Sequence, residues 1–249
     1  MKVFVIKTDK IKPGGQALFY ILDKYLPSLK EGSIVAITSK IVSICEGRVV
    51  KIRKDEKEKL VEKEAEYFLP SQGNKYNVML TIKGNVLAAS AGIDESNGAG
   101  YHILLPKDPQ ETANDIRRYL RKKFSIKKLG VIITDSRTTP LRWGTTGVAI
   151  SYSGFAPLYN YIGKRDIFGR KFEMQKTNIV DALATSAVLT MGEGAEQTPL
   201  ALIEDVPFVK FQEKDPSKKE LDNFHININD DLYGPLLKNT KWRRGKSRA

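Results

Sequence analysis

The chain has 249 residues, of which 41% are hydrophobic and 28% charged, and it carries a formal net charge of +12. This is the composition of an ordinary soluble globular protein, enough for one large domain or two small intimate ones, and no run approaches the length of a membrane span. The single cysteine, Cys45, excludes a disulfide framework within the chain and fits a reducing cytosol. The positive charge favours polyanions as partners, such as nucleoside triphosphates, phosphodiester cofactors, glutamyl tails or RNA, although most lysines read as solubilising surface.

In chain order, Lys2–Lys7 reads as a strand, too short and too charged for a signal peptide, and Pro13–Gly14–Gly15 breaks it. Helical spacing of Leu18, Phe19, Leu22 and Leu26 predicts a helix over Gln16–Leu26, and Ser33–Thr38 is a second apolar strand. Ser39, Lys40 and Ser43 then form a polar stretch before Glu46–Gly47–Arg48. Lys51–Phe68 predicts a charged helix with a solvated face, and Pro70–Lys75 a turn-rich linker. Tyr76–Ser90 reads as two strands joined at Lys83–Gly84–Asn85. Asp108 is the expected N-cap of an amphipathic helix, Pro109–Phe124, with Ile116, Tyr119, Leu120 and Phe124 as its stripe. Its Arg117, Arg118, Arg121, Lys122 and Lys123 are read as a solvated basic face.

Leu129–Ser136 is a buried strand ending in Asp135 and Ser136, and Thr146–Ser153 is another, with Gly147 and Gly154 allowing close packing. Asp166 and Gly169–Arg170 form a polar turn. Thr177–Met191 predicts a helix with Ala182, Ala184 and Ala187 on a tight interface; its Asp181 either faces a site or simply complements the helix dipole. Ala201–Ile203 is a last short strand. Composition changes beyond Phe211, and the basic end Lys241–Ala249 reads as a frayed, solvated terminus. His102 and His225 are isolated and receive no role. No internal repeat, P-loop or dinucleotide fingerprint is present.

Three acidic stretches flanked by glycine or hydroxyl residues stand out: AGIDESNGAG at Ala91–Gly100, TDS at Thr134–Ser136 and MGEGAEQT at Met191–Thr198. Taken alone, the first is an ordinary polar turn. Together they predict a site for a hard cation and phosphate, because carboxylates from separate strand ends can converge on one oxygen-preferring ion.

These segments resemble the coenzyme F420-0:gamma-glutamyl ligase family. The motifs are SKIVSICEGR at Ser39–Arg48, AGIDESN at Ala91–Asn97, ITDS at Ile133–Ser136, RWGTTGVAISYSG at Arg142–Gly154, YIGKRDIFGR at Tyr161–Arg170 and LTMGEG at Leu189–Gly194. The match runs in order from the first strand to Pro199. Two positions depart from the family pattern: Ile44, where a lysine is usual, and Thr138–Thr139, where Gly–Arg is frequent.

The resemblance implies an α+β fold, a curved sheet with packed helices, assembled as an intertwined homodimer with the nucleotide site near the subunit interface. Residues 1–211 would form the ligase domain and 212–249 a charged C-terminal extension. It further implies that Asp94 and Asp135 hold one ion, Mn2+ or Mg2+, and that Ser136 and Glu193 contribute to a second, with K+ also required. Ser39, Asn97, Met191, Gly192, Glu193, Gly194 and Thr198 would contact GTP. Asp94, Asp135 and Arg142 would be catalytic, with Arg142 and Arg170 able to bind substrate carboxylates. L-Glutamate would attack an activated γ-carboxylate of a deazaflavin or, in a folate-metabolism branch, of a pterin acceptor. The rival of another class is a non-catalytic RNA-binding protein on the same fold; the presence of Asp94, Asp135 and Glu193 argues against it and against nucleic acid as a partner.

Overall fold

The computed structural model describes residues 1–53, 56–71 and 75–247. Parts of three sequence-based expectations fall outside them: residues 54–55 of the expected charged helix Lys51–Phe68, residues 72–74 of the linker and the last two residues of the tail. The chain runs through β1 (Lys2–Ile6), α1 (Leu18–Tyr25), β2 (Ser33–Thr38), α2 (Ser39–Cys45), β3 (Val49–Lys51), α3 (Lys57–Glu64) and β4 (Tyr67–Phe68). It continues with β5 (Leu80–Lys83), β6 (Val86–Ala89), β7 (Tyr101–Ile103), α4 (Pro109–Phe124), β8 (Leu129–Thr138) and β9 (Thr145–Ser153). Then follow β10 (Leu158–Asn160), β11 (Lys176–Asn178), α5 (Ile179–Met191), β12 (Leu200–Glu204), α6 (Lys218–Phe224), α7 (Gly234–Lys238) and β13 (Arg243–Arg244).

The fold is mixed α+β. The main sheet has the order β1-β12-β2-β8-β9, in which only β2 and β8 run parallel. Alternation along β8 sends Leu129, Val131 and Ile133 to one face, against Ile21 and Leu22 of α1 and Ile116 and Leu120 of α4. Ile132 faces the other way, against Val180, Leu183, Ala184 and Ala187 of α5. Burial on both faces is why the central strands read as unbroken apolar runs rather than alternating ones. The expected tight interface of α5 is present at Ala184 and Ala187, while Ala182 is exposed on the opposite side; a Cβ at Gly147 would lie 2.5 Å from the Ala184 carbonyl oxygen. Asn178 caps α5 by accepting from the Asp181 amide at 3.0 Å.

The segment between α2 and α4, joined by β13 from near the C-terminus, builds a smaller unit. Its four-stranded sheet, β13-β4-β5-β6, covers a separate core of Val61, Ala65, Phe68, Met79, Ala91, Ile93 and Leu104. Together with the β3–β7 pair, this unit holds the Ala91–Gly100 loop against the main sheet.

Three expectations are corrected. Ser39–Cys45, expected only as a polar stretch, is a helix, because Ile41 and Val42 bury themselves in the main core. The basic tail is not frayed up to Ser247. β13 pairs with β4, and the amides of Gly245 and Lys246 donate to the Glu66 and Glu62 carbonyls at 2.8 and 3.0 Å. The basic face of α4 is not wholly solvated either: Arg117 is 1% exposed and donates to the Leu129 carbonyl at 3.1 Å and to Asp215 at 3.0 Å. Among the described residues, no helix is long and apolar enough to cross a membrane.

Candidate active site

The C-terminal ends of the parallel pair β2 and β8 lie side by side, with Thr38 opposite Thr134. A cavity of about 820 Å³ opens beyond them. Adjacent parallel strand ends are a recurrent place for a ligand crevice. Ser39, Asp94, Asn97, Asp135, Ser136, Met191, Gly192, Glu193, Gly194 and Thr198 all line it. The structure therefore brings the three acidic stretches to one place.

Their local settings differ from simple strand ends. β8 continues through Thr138, so Asp135 lies inside the strand. Pairing with β9 shifts register between Ile133 and Thr134, which leaves Ile150 of β9 without an opposite residue. Such bulges bend a strand and re-aim its side chains, often beside a site. Asp94 follows a tight 3-10 turn, Ser90–Gly92, rather than ending β6 directly, and its backbone pairs with Ile103.

The Asp94 carboxylate accepts from the Ser96 amide at 2.7 Å and the Ser96 hydroxyl at 3.0 Å, and Lys40 Nζ lies 2.7 Å from its Oδ2. Burial opposes ionisation of Asp94, but Lys40 and the Ser96 donors outweigh it and hold the carboxyl below its usual value. Asp135 goes the other way. Burial pushes it up to about 7 and the nearby Asp94 charge adds to that, against the Ser136 amide, the Ser39 hydroxyl and Lys40. Lys40 is thus ion-paired to Asp94 alone and acts on Asp135 only through its charge.

Glu193 is held apart from that pair. It accepts from the Ser136 hydroxyl at 2.7 Å and the Thr145 hydroxyl at 3.2 Å. Its loop is tied down on all sides. Asn97 Nδ2 donates to the Gly194 carbonyl at 2.8 Å, the Gly194 amide to Glu196 at 2.8 Å, and the Thr198 hydroxyl to the Met191 carbonyl at 2.5 Å. The Thr8 amide donates to the Gln197 carbonyl at 2.9 Å.

Arg142 and Arg170 do not line this cavity. Arg142 sits on the β8–β9 connection between Leu141 and Trp143, which are 102% and 88% exposed. Arg170 belongs to the turn around Asp166, whose carboxylate accepts its amide at 2.9 Å. Asp181 serves its helix start and accepts from the Ala149 amide at 3.0 Å, away from the cavity lining. Sequence reasoning assigned nothing to Thr145 or to Thr8–Lys12, which also line the cavity. A cluster of polar residues directly after the first strand was the available signal for the latter. Thr145 carried no local one, because its role depends on the pairing of β9 with β8.

Among the described residues, no group of three or more His, Cys, Asp or Glu side chains is placed to hold a metal ion. The donor set nonetheless fits the divalent ion of a phosphate-transfer site. Such an ion is commonly held by one or two carboxylates, waters and substrate phosphates rather than by an all-protein cage. The unbalanced pair Asp94–Asp135, short of one positive charge, is the feature that such an ion would complete.

Comparison with known proteins agrees with the motifs. The profile of the family described as F420-0:Gamma-glutamyl ligase matches residues 5–205. A protein of Methanopyrus kandleri named coenzyme F420:L-glutamate ligase is 34% identical over 211 residues, covering 78% of this chain and 82% of the relative. Proteins of the same name from Methanocaldococcus jannaschii and Methanosarcina mazei are 34% and 32% identical, covering 75% and 77% of this chain and 69% and 80% of their own lengths. The chain belongs to the F420-0:gamma-glutamyl ligase family.

Proposed function

We propose that the protein joins L-glutamate to the γ-carboxylate of a deazaflavin acceptor, F420-0, at the expense of GTP. The observation that carries this reading is the convergence of Asp94, Asp135 and Glu193 on one cavity of ligand size. Amide formation from a free carboxylate is uphill in water, so the acceptor carboxylate is first phosphorylated. Its oxygen attacks the terminal phosphorus of GTP, and GDP leaves. The glutamate amine then attacks the acyl carbon, loses a proton, and inorganic phosphate leaves.

Asp94 and Asp135 would hold one Mn2+ or Mg2+, and Ser136 with Glu193 a second. Such ions neutralise the charge that builds on the transferred phosphoryl group. The remaining work falls to the chain. Asn97 and the Met191–Thr198 loop, cross-linked through Gly194, form a rigid wall for the nucleotide. The Ser39 hydroxyl, on the Asp135 side of the cavity, favours the ionised carboxylate.

The reading predicts one phosphate released per amide formed, and only when acceptor, glutamate and nucleotide are all present. A panel of deazaflavin and folate acceptors with labelled glutamate and either GTP or ATP, read by mass, tests it. Extension of folate alone reassigns the acceptor. RNA binding with a steep salt dependence, and no divalent-dependent nucleotide affinity, would overturn the enzyme reading.

The protein is further proposed to act as a homodimer. Leu141 and Trp143 on one connection, and Ile167, Phe168 and Met174 between β10 and β11, are 85% or more exposed. A second copy of the chain would cover such apolar side chains and bring Arg142 into protein surroundings. Light scattering should give twice the 27.9 kDa of the chain, and a single-chain mass at micromolar concentration sinks the dimer.

A further inference from the structure

Among the described residues, Lys40 is the only cation with an ion pair to Asp94, Asp135 or Glu193. Its ammonium is surrounded by three oxygens: Asp94 Oδ2 at 2.7 Å, the Ser96 carbonyl at 3.0 Å and the Ser96 hydroxyl at 3.1 Å. A carboxylate, a carbonyl and a hydroxyl form the donor set that hard cations prefer. Lys40 is held there from the first turn of α2, with Ser39 directed at Asp135. The long lysine stem has rotatable bonds enough to let the ammonium leave that position while α2 stays packed in the core.

We propose that Lys40 is an exchangeable counter-ion, resident on Asp94 when no divalent cation is loaded and released toward the nucleotide phosphates when one is. The inference rests on the divalent, nucleotide-dependent reading above and assigns a positioning and binding residue within it. Two consequences follow from charge alone. With Lys40 on Asp94, a divalent cation binding by itself must displace a positive charge, so it binds weakly. With nucleotide present, the displaced ammonium gains phosphate oxygens, so the two ligands load together. Lys40 thereby couples cation binding to nucleotide binding.

A structural ion pair would behave differently. Removing it would loosen the Asp94 loop and weaken cation binding under every condition. The two roles therefore predict opposite signs for the same variant.

The test uses the full chain, with Lys40→Gln and Lys40→Arg beside wild type. Mn2+ binding is measured without nucleotide, by electron paramagnetic resonance of the free ion, and GTP binding is then measured at saturating Mn2+. Lys40→Gln is expected to bind Mn2+ alone about five- to tenfold more tightly, the effect of removing one adjacent positive charge in a partly solvated site. It is expected to bind GTP at saturating Mn2+ about tenfold more weakly. Lys40→Arg should follow wild type in both. Equal or weaker Mn2+ binding by a folded Lys40→Gln overturns the counter-ion role while leaving the divalent site intact. Failure of wild type to bind Mn2+ or Mg2+ even with GTP overturns the divalent reading itself, and this inference with it.

Discussion

Asp135→Asn is expected to abolish glutamate ligation and, in divalent-free buffer at pH 8, to make the protein more stable than wild type. Both effects come from the same burial. In the fold Asp135 titrates near 7, against an ordinary value of 3.8. The folded state therefore holds its proton more tightly than the unfolded chain. Between about pH 4 and 7 the unfolded state ionises first, and wild type loses stability steadily as pH rises through that window. Above it, the whole cost of an ionised, poorly solvated carboxylate beside Asp94 is present.

Asparagine keeps the shape and cannot ionise. With about 1.4 kcal/mol per pKa unit, and a discount for the neighbouring donors, the variant should gain about 1–3 kcal/mol at pH 8. The gain should fade toward pH 4. Mn2+ with nucleotide should raise the melting temperature of wild type, because binding to the folded state alone stabilises it, and should leave the variant unmoved. Calorimetry across pH, with and without Mn2+, reads both effects. Wild-type turnover at limiting Mn2+ would remove Asp135 from the cation site, and equal stability at pH 8 would show that its carboxylate ionises without cost.

How far the sequence announced this arrangement depends on whether the signal was local. The apolar runs of β2 and β8, the stripe and Asp108 cap of α4, and Ala184 and Ala187 of α5 follow from side-chain burial within each element and are found, whereas Ala182 faces solvent. The Glu111 amide indeed donates to Asp108 at 2.9 Å. Which strands pair was not legible. β2 meets β8 in parallel across the inserted small unit, and β12 returns to lie between β1 and β2. Both are long-range choices that no window of sequence contains.

The same division runs through the site. Asp94, Asp135 and Glu193 drew attention through glycine and hydroxyl neighbours, and the structure places them on one cavity. Arg142 drew attention through the family motif it opens, but the β8–β9 connection carries it away from the cavity. Arg243 and Arg244 looked like a solvated end because their side chains are indeed exposed. Their backbone pairs with β4 all the same. Charged side chains say little about whether the main chain behind them is hydrogen-bonded.

Asp215→Ala is expected to cost about 2–4 kcal/mol, although Asp215 lies outside the family match and in a stretch whose composition reads as surface. The reason is Arg117. Its guanidinium is 1% exposed, and burial draws its pKa below the ordinary arginine value. It stays charged in the interior by spending its donors on the Leu129 and Gln212 carbonyls and on Asp215. The chain is shaped around it. Gly154 has a φ of +89°, and a Cβ there would collide with the Leu129 carbonyl and with Arg117 Nε. The Gln212 amide donates to the Gly154 carbonyl at 2.8 Å, which starts the tail on its path across α4.

Removing the Asp215 carboxylate leaves a buried charge without its counter-ion, the costly way to break such a pair. For a chain of this length the loss corresponds to a fall in melting temperature of roughly 5–10 °C. Asp115→Ala is the control. Asp115 pairs with Arg118 at 2.6 Å, but both side chains are about half exposed, so this change should cost well under 1 kcal/mol. Asp215→Asn keeps an acceptor for Arg117 and should fall between the two. Neither Asp215 nor Arg117 lines the cavity, so divalent-dependent nucleotide binding well below the melting temperature should be unchanged in all three. Equal melting shifts for Asp215→Ala and Asp115→Ala would mean that water reaches Arg117 and that the tail is held by its backbone pairing alone.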